Sequence, residues 1–235
     1  EVDRLWGVPQ RADYHPEVDT GVHLMMVLDM AARLNTNLAM RFAYLGHDLG
    51  KGTTPADVLP RHLGHEQRSV ALVRALCERL KVPVACRELA EVVAREHGNI
   101  HRSAEFGAAA LVRLLERCDA FRRPERFADT LLACECDARG RGGLEESAYP
   151  QRERLAQVLR LALSIDSAAV AADAVTFEPD RPSSIEMLAD QDAAVSVAVA
   201  ARSGRKIDDQ AAEADGVVVG HGGLVGEGDE LIALG

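Results

Sequence analysis

The sequence predicts an all-α protein, a bundle of helices, on three observations. Apolar residues recur at helical spacing in segment after segment of the first 170 residues. Capping residues or helix breakers stand at the ends of these segments. No alternation of polar and apolar residues typical of a strand appears among them. Helices with one apolar face must pack against each other, so we expect a helical bundle with one main core.

Seven helices are expected along the bundle. Asp19 is a favourable cap for the first, and Gly50 and Gly52 follow the second. Pro124 suits the first turn of the sixth helix, where its missing N–H costs nothing. The expected ranges are about 20–34, 38–49, 66–80, 83–97, 106–118, 124–136 and 150–165.

The composition changes near residue 170, which predicts a domain over 1–170 and an acidic appendage of low order over 171–235. The first part holds 23 Lys and Arg against 24 Asp and Glu, and the second part 4 against 13. Short strands at 217–219 and 231–234 are weak possibilities in this glycine-rich end, to which we assign no function. The basic residues of the first part are nearly all arginines, which suit phosphate contacts, so RNA binding stays open.

Composition also bears on the compartment. The longest apolar runs are interrupted by charged residues, so no transmembrane segment is expected, and the start of the chain lacks signal-peptide character. The five cysteines form no Cys-x-x-Cys pair and are expected to be reduced and mostly buried. These features together predict a cytoplasmic protein without a membrane partner.

Histidines beside carboxylates carry the functional signal. His47 and Asp48 stand at the expected end of the second helix, before a glycine-rich turn. Neighbouring side chains on a helix point about 100° apart, so the pair can reach one metal ion only where the geometry is unusual, commonly at a helix end. His23 from the first helix and Asp137 from a late helix would complete the set. Imidazole and carboxylate ligands suit Zn, Mn, Fe, Ni or Mg, with open positions for water.

Five segments occur in order over residues 1–165 and resemble one family. The pattern of His23, His47-Asp48 and Asp137 resembles the HD phosphohydrolase superfamily. The surrounding segments resemble its branch in the C-terminal domain of bacterial multifunctional CCA proteins, which are CCA-adding tRNA nucleotidyltransferases. These segments are Trp6–Gln10, Tyr14–Gly21, Gly46–Gly52, Pro60–Glu66 and Asp137–Arg141.

The resemblance implies a metal-dependent phosphohydrolase linked to tRNA 3′-end CCA maturation and repair. It implies 2′,3′-cyclic phosphodiesterase, 2′-nucleotidase and phosphatase activities, with tRNA or nucleotide phosphoesters as partners and a homodimer as an open option. It also implies a divalent metal, Mg, Ni or Mn, held by His23, His47, Asp48 and Asp137. The glycine-rich loop and paired carboxylates of a nucleotidyltransferase head are not found in this sequence, so we do not expect CCA addition from this chain alone.

Further residues receive roles in the expected site. His97 is a candidate general acid or phosphate ligand, and Lys51 with Arg139 or Arg141 would neutralise charge on the phosphate. The family carries Asp after the histidine equivalent to His97, whereas this chain has Gly98, which puts activity or metal preference in doubt. The candidate substrate-binding residues are His62, His65, His101 and Arg141.

Two alternatives stay open beside the enzyme. The chain could be a non-catalytic module that binds tRNA or mediates dimerisation of a CCA-adding enzyme, although a scaffold needs none of the four metal ligands. A different HD activity, on nucleoside phosphates or signalling nucleotides, is disfavoured by the flanking segments. Several arginines between 113 and 126 could bind an RNA backbone, but nearby acidic residues favour a solvated face.

Overall fold

A computed structural model describes residues 1–164 of the protein, and over this range the all-α prediction is confirmed. These residues form seven α-helices, three short 3-10 helices and no strand. The two strands suggested near the C-terminus and the boundary near residue 170 lie outside the described residues. The helices are α1 (Thr20–Arg33), α2 (Leu38–His47), α3 (His65–Leu80), α4 (Val84–His101), α5 (Ala108–Arg117), α6 (Pro124–Arg139) and α7 (Pro150–Ser164).

Local sequence explains where the first helices begin. The Asp19 side chain accepts a hydrogen bond from the backbone N–H of Val22 at 2.9 Å, as the capping prediction required. The Asn37 side chain accepts from the N–H of Met40 in the same way and starts α2. Each cap satisfies an N–H group that has no partner inside its helix.

Three helices end two or more residues away from the predicted C-terminus, and all three concern the site described below. Helix α2 ends at His47, two residues early, and a 3-10 turn over Leu49–Thr53 follows. A side chain at Gly50 would collide with the backbone carbonyl of His65, so this turn lies directly on the start of α3. Helix α4 is longer than predicted because it continues through Gly98 to His101. Helix α6 is also longer than predicted, because tertiary packing extends it to Arg139.

Two apolar clusters hold the bundle together. The first lies among α1, α2, α3, α4 and α6 and includes the fully buried Leu24, Tyr44 and Val73. The second lies among α4, α5, α6 and α7 and includes the fully buried Phe127 and Leu155. Burying a side chain of this size contributes about 1.5–3 kcal/mol. Helices α4 and α6 contribute to both clusters, so they form the centre of the bundle.

The arginines near α5 contact acidic side chains of the protein itself. Arg126 lies 3.1 Å from Asp119, and both Arg126 and Arg123 contact Glu88. Arg117 lies 3.1 Å from the buried Glu96. These ion pairs favour a structural role over RNA binding for this group.

Two other expectations concern the surface and the core. Within residues 1–164, no helix combines the length and the apolar character that a membrane crossing needs. All five cysteines are free and buried, as predicted.

Candidate metal centre

The close approach of α1 and α6 places the first two predicted ligands together. A side chain at Gly140 would lie 2.7 Å from the Cα of Val27, so the two backbones meet at a distance that only glycine allows. His23 and Asp137 each lie about one turn before these contact residues. Their side chains meet in the interior, with His23 Nε2 3.0 Å from Asp137 Oδ1.

The end of α2 brings the other two predicted ligands to the same place. His47 is the last residue of the helix, and Asp48 leaves the helical conformation with φ −111° and ψ 10°. His47 Nε2 therefore lies 3.2 Å from Asp48 Oδ2 and 3.9 Å from Asp137 Oδ1. The structure thus brings all four predicted metal ligands together, and the early end of α2 makes this possible.

Backbone carbonyls determine how three of the histidines point. His47 Nδ1 donates to the carbonyl of Tyr44 at 2.7 Å, and His65 Nδ1 donates to that of His62 at 2.9 Å. His97 Nδ1 donates to a carbonyl in the preceding turn of α4 at 3.1 Å. A carbonyl only accepts hydrogen bonds, so in each neutral ring the proton is on Nδ1 and the lone pair is on Nε2. All three Nε2 atoms face the interior of the site.

Asp48 connects two groups of donor atoms. Its Oδ1 atom lies 3.4 Å from His65 Nε2 and 3.7 Å from His97 Nε2, and these two nitrogens lie 3.3 Å apart. Asp48, His65 and His97 thus form a second group able to hold a metal ion beside the first group. The first group consists of His23, His47 and Asp137.

Buried atoms without hydrogen bonds show that these residues fit a divalent cation. His47 Nε2 and Asp48 Oδ1 are both shielded from solvent and lack a well-directed hydrogen-bond partner. Leaving a buried polar atom unsatisfied costs about 1–3 kcal/mol, and more for a charged group. A cation coordinated by both atoms would remove this cost, and nitrogen with carboxylate oxygen is a donor set that suits Mn, Ni or Mg.

Charge in the site follows from burial and close neighbours. Burial opposes ionisation of Asp48 and Asp137, yet His47 and Lys51 beside the first, and His101 beside the second, hold both carboxyl pKa values well below the usual range. Burial also opposes the charge on His47, but Asp48 and Asp137 outweigh it and raise the His47 pKa to about 9. Without a metal ion, a proton on His47 therefore supplies positive charge to the site.

An open pocket of about 620 Å³ reaches the site, and Asp48 and Asp137 line it, whereas His23 and His47 do not. Lys51 lies in its wall, with Nζ 2.7 Å from Asp48 Oδ2 and 2.8 Å from Gln10 Oε1. Arg141 also lines it, 3.8 Å from Asp137. Arg139 instead donates to Glu135 at 2.8 Å and to a loop carbonyl. The structure therefore favours Arg141 over Arg139 as a phosphate contact.

The other predicted histidines, His62, His65 and His101, line the same pocket. Their ring nitrogens differ in how many already have a hydrogen-bond partner in the protein. His62 uses both nitrogens, contacting Thr54 Oγ1 at 2.8 Å and the carbonyl of Pro9 at 3.1 Å. His101 contacts Asp137 Oδ2 at 2.7 Å through Nε2. Substrate contacts by His62, His65, His101 and Arg141 stay predictions.

Sequence reasoning missed three residues that support the site. Gln10 bonds Lys51, and Glu17 Oε1 lies 2.8 Å from His23 Nδ1 in a bent contact. Gln10 and Glu17 lie inside the segments that carry the family resemblance. Their polar side chains in those segments could have indicated a role in the site. Tyr149 contacts His101, 48 positions earlier in the chain, and no local pattern indicates this pairing.

Comparisons with known proteins agree with this geometry. Residues 20–162 match the family model described as HD domain. The chain is 78% identical over 174 residues to the multifunctional CCA protein of Paracidovorax citrulli, covering 74% of this chain and 42% of the relative. It is 70% identical over 182 residues to that of Polaromonas naphthalenivorans, covering 77% of this chain and 43% of the relative.

A third relative, the multifunctional CCA protein of Acidovorax sp. (strain JS42), is 66% identical over 188 residues, or 80% of this chain and 44% of the relative. The chain thus spans less than half the length of these relatives. No solved structure matches it. The matched range contains α1 to α6 and all four predicted metal ligands, and the chain belongs to the HD domain family.

Proposed function

We propose that this chain is a metal-dependent phosphohydrolase that acts on 2′,3′-cyclic phosphates, 2′-nucleotides or phosphorylated RNA ends. The observation that carries the proposal is the convergence of His23, His47, Asp48 and Asp137, three of which present buried atoms without hydrogen bonds. Buried polar atoms normally have partners, and a cation bound by His47 Nε2 and Asp48 Oδ1 would supply the missing ones.

The four residues would hold a divalent ion, Mg, Ni or Mn, at the bottom of the pocket. Such an ion supplies polarisation of the phosphoryl oxygens and a bound water of lowered pKa. Lys51 and Arg141 face the same space and would neutralise the negative charge that builds on the phosphate. The bond from Lys51 to Gln10 holds the ammonium group in place before substrate binds.

His97 is better suited to accept a proton or to contact the phosphate than to donate a proton. Burial lowers its pKa to about 3, so the ring is neutral near pH 7. Its one proton is on Nδ1 and bonds a backbone carbonyl, which leaves the Nε2 lone pair for the pocket. In the reaction, water adds to phosphorus, one P–O ester bond breaks, and the leaving oxygen takes up a proton.

Substrate class and biological role rest on the relatives. Multifunctional CCA proteins are 66 to 78% identical to this chain over the matched residues. We infer from this that the domain serves tRNA 3′-end maturation and repair, with tRNA or nucleotide phosphoesters as partners. A pocket of about 620 Å³ is large enough for one nucleotide. A cytoplasmic location and a homodimer are consistent with this role.

The test is hydrolysis of 2′,3′-cyclic AMP to the nucleoside monophosphate by purified protein with Ni²⁺, Mn²⁺ or Mg²⁺. We expect turnover by the parent and at least a 100-fold loss in His47→Ala and Asp48→Ala, since each removes a ligand. Asp29→Ala, which removes an exposed carboxylate of α1, is the matched control and should keep full activity. No turnover with any metal by the folded protein would contradict the proposal and favour a non-catalytic tRNA-binding or dimerisation module.

A further inference from the structure

His101 differs from the inward-pointing histidines in the partner of its Nδ1 nitrogen. His47, His65 and His97 bond a carbonyl through Nδ1 and present Nε2 to the site. His101 presents Nε2 to Asp137 at 2.7 Å, and its Nδ1 lies 2.8 Å from the hydroxyl of Tyr149. The partners of His101 are thus a carboxylate on one side and a phenol on the other.

These partners determine where the proton of a neutral His101 ring lies. The carboxylate of Asp137 only accepts hydrogen bonds, so Nε2 carries the proton and donates it. Nδ1 then has a lone pair and accepts from Tyr149. Burial raises the pKa of the Tyr149 hydroxyl, so the phenol keeps its proton and remains a donor. The chain of donors runs in one direction, from Tyr149 through His101 to Asp137.

The two oxygens of Asp137 have separate partners. Oδ1 faces His23 at 3.0 Å and His47 at 3.9 Å, inside the candidate metal site. Oδ2 accepts from His101, on the side away from these ligands. The bond to Oδ2 restricts rotation of the carboxylate and keeps Oδ1 directed at the site.

The segment that carries Tyr149 is attached to the end of α4 by further bonds. The Gln151 side chain donates to the backbone carbonyl of His101 at 3.2 Å, and Arg154 donates to that of Ser103 at 2.6 Å. The start of α7 therefore holds the phenol at a constant position relative to His101. This arrangement brings the residue just before the last described helix into contact with the site.

We propose that His101 and Tyr149 are positioning residues that orient the metal ligand Asp137 through this hydrogen-bonded chain. The proposal rests on the function proposed above, because it assumes that Asp137 Oδ1 binds the metal ion. Outer partners of metal ligands fix the orientation of the ligand, and their loss typically weakens metal binding by about 10- to 100-fold. Tyr149 contacts His101 and not Asp137 itself. We therefore expect the loss of its hydroxyl to weaken metal binding by a factor near the lower end of this range.

The experiment measures Mn²⁺ affinity by calorimetric titration for the parent, Tyr149→Phe, His101→Ala and His101→Gln. Tyr149→Phe removes a single hydroxyl and should weaken Mn²⁺ binding roughly 10-fold. His101→Ala should weaken it more, whereas His101→Gln, whose amide can donate to Oδ2, should recover part of the loss. The matched control is Thr130→Val, which removes a different buried hydroxyl, one that lies in α6. Its Mn²⁺ affinity should stay within about two-fold of the parent.

A spectroscopic measurement separates positioning from a general loss of structure. Nitrogen NMR of the histidine rings should show His101 protonated at Nε2 in both proteins, and the Nδ1 resonance should shift in Tyr149→Phe because that nitrogen loses its hydrogen-bond donor. His47→Ala is included to test the metal site itself. If the parent binds no metal, the proposed function fails and the positioning role fails with it. If the parent binds Mn²⁺, His47→Ala does not, and Tyr149→Phe binds as tightly as the parent, the positioning role alone is overturned.

Discussion

The two ends of helix α6 meet opposite environments. The C-terminal end carries Asp137 into the site, where His23, His101 and Arg141 surround it. The N-terminal end packs Phe127 into the apolar cluster formed with α5 and α7. The first end brings charged groups out of water, which costs free energy unless they are paired. The second end buries carbon and stabilises the helix that holds the charged groups. Chemistry and stability are thus supplied by different ends of one helix.

Phe127→Ala is the largest test of this division. The side chain is fully buried, so its truncation should lower the free energy of unfolding by about 3–5 kcal/mol, measured by urea denaturation. The turnover of the remaining folded protein should change by less than about two-fold, since no site residue is touched. Leu163→Ala, an exposed position in α7, should cost less than about 0.5 kcal/mol. A loss of turnover in folded Phe127→Ala would show that the two ends of α6 are not independent.

The pH dependence of stability in the metal-free protein tests the end of α6 that carries Asp137 and the histidines around it. Above about pH 7 the raised pKa of His47 means that the folded protein holds a proton that the unfolded chain releases, so stability falls as pH rises toward 9. Below about pH 7 the lowered pKa values of His15, His62 and His97, about 3, 4 and 3, mean that the unfolded chain binds protons first, so stability also falls.

Maximum stability is therefore expected near pH 7, with a loss on the order of 2 kcal/mol by pH 8.5 and on the order of 5 kcal/mol by pH 5, where three histidines act together. Urea unfolding in the presence of a chelator measures this. Unfolded cysteines begin to ionise near pH 8.5, and the buried Cys118, Cys134 and Cys136, whose pKa values are raised by burial, add to the alkaline loss there. Saturation with Mn²⁺ should remove the part of the alkaline loss that is due to His47, because the metal replaces the proton on His47. A stability that is constant from pH 5 to 8.5 would count against the charges assigned to the site.

The two arginines at the end of α6 provide the smallest test. Arg141 lines the pocket, whereas Arg139 is bound to Glu135, so Arg141→Ala should raise the KM for a phosphoester substrate about five-fold. Arg139→Ala, the matched control, should leave KM unchanged. An equal rise in KM in the two variants would support Arg139 as a phosphate contact, the role that the sequence suggested for it.

Much of the bundle could be predicted because its signals are local. The Asp19 cap and the apolar spacing of α1 determine that helix wherever it is placed. The ends of α2 and α4 could not be predicted in the same way. Helix α2 stops two residues early because the turn after it must lie against α3, and α4 continues to His101 through a glycine that local propensity disfavours.

The four candidate metal ligands were identified from the sequence because their residue types and order carry the family pattern. Their shared location at one site is a property of the folded chain, produced where α1 and α6 touch at Gly140 and where α2 ends at His47. The sequence also could not show that Arg141 lines the pocket and Arg139 does not. The two arginines are only two residues apart, and the fold determines which of them faces the pocket.

By itself, then, the sequence determined the helical class, the positions of most helices and the residues able to bind a metal ion. Only the tertiary structure decided which nitrogen each histidine presents and which residues support the ligands. The tautomers depend on partners such as the carbonyl of Tyr44 for His47 and the hydroxyl of Tyr149 for His101. A hydrogen bond between residues 48 positions apart forms only after the helices that carry them have packed, and no local pattern encodes it.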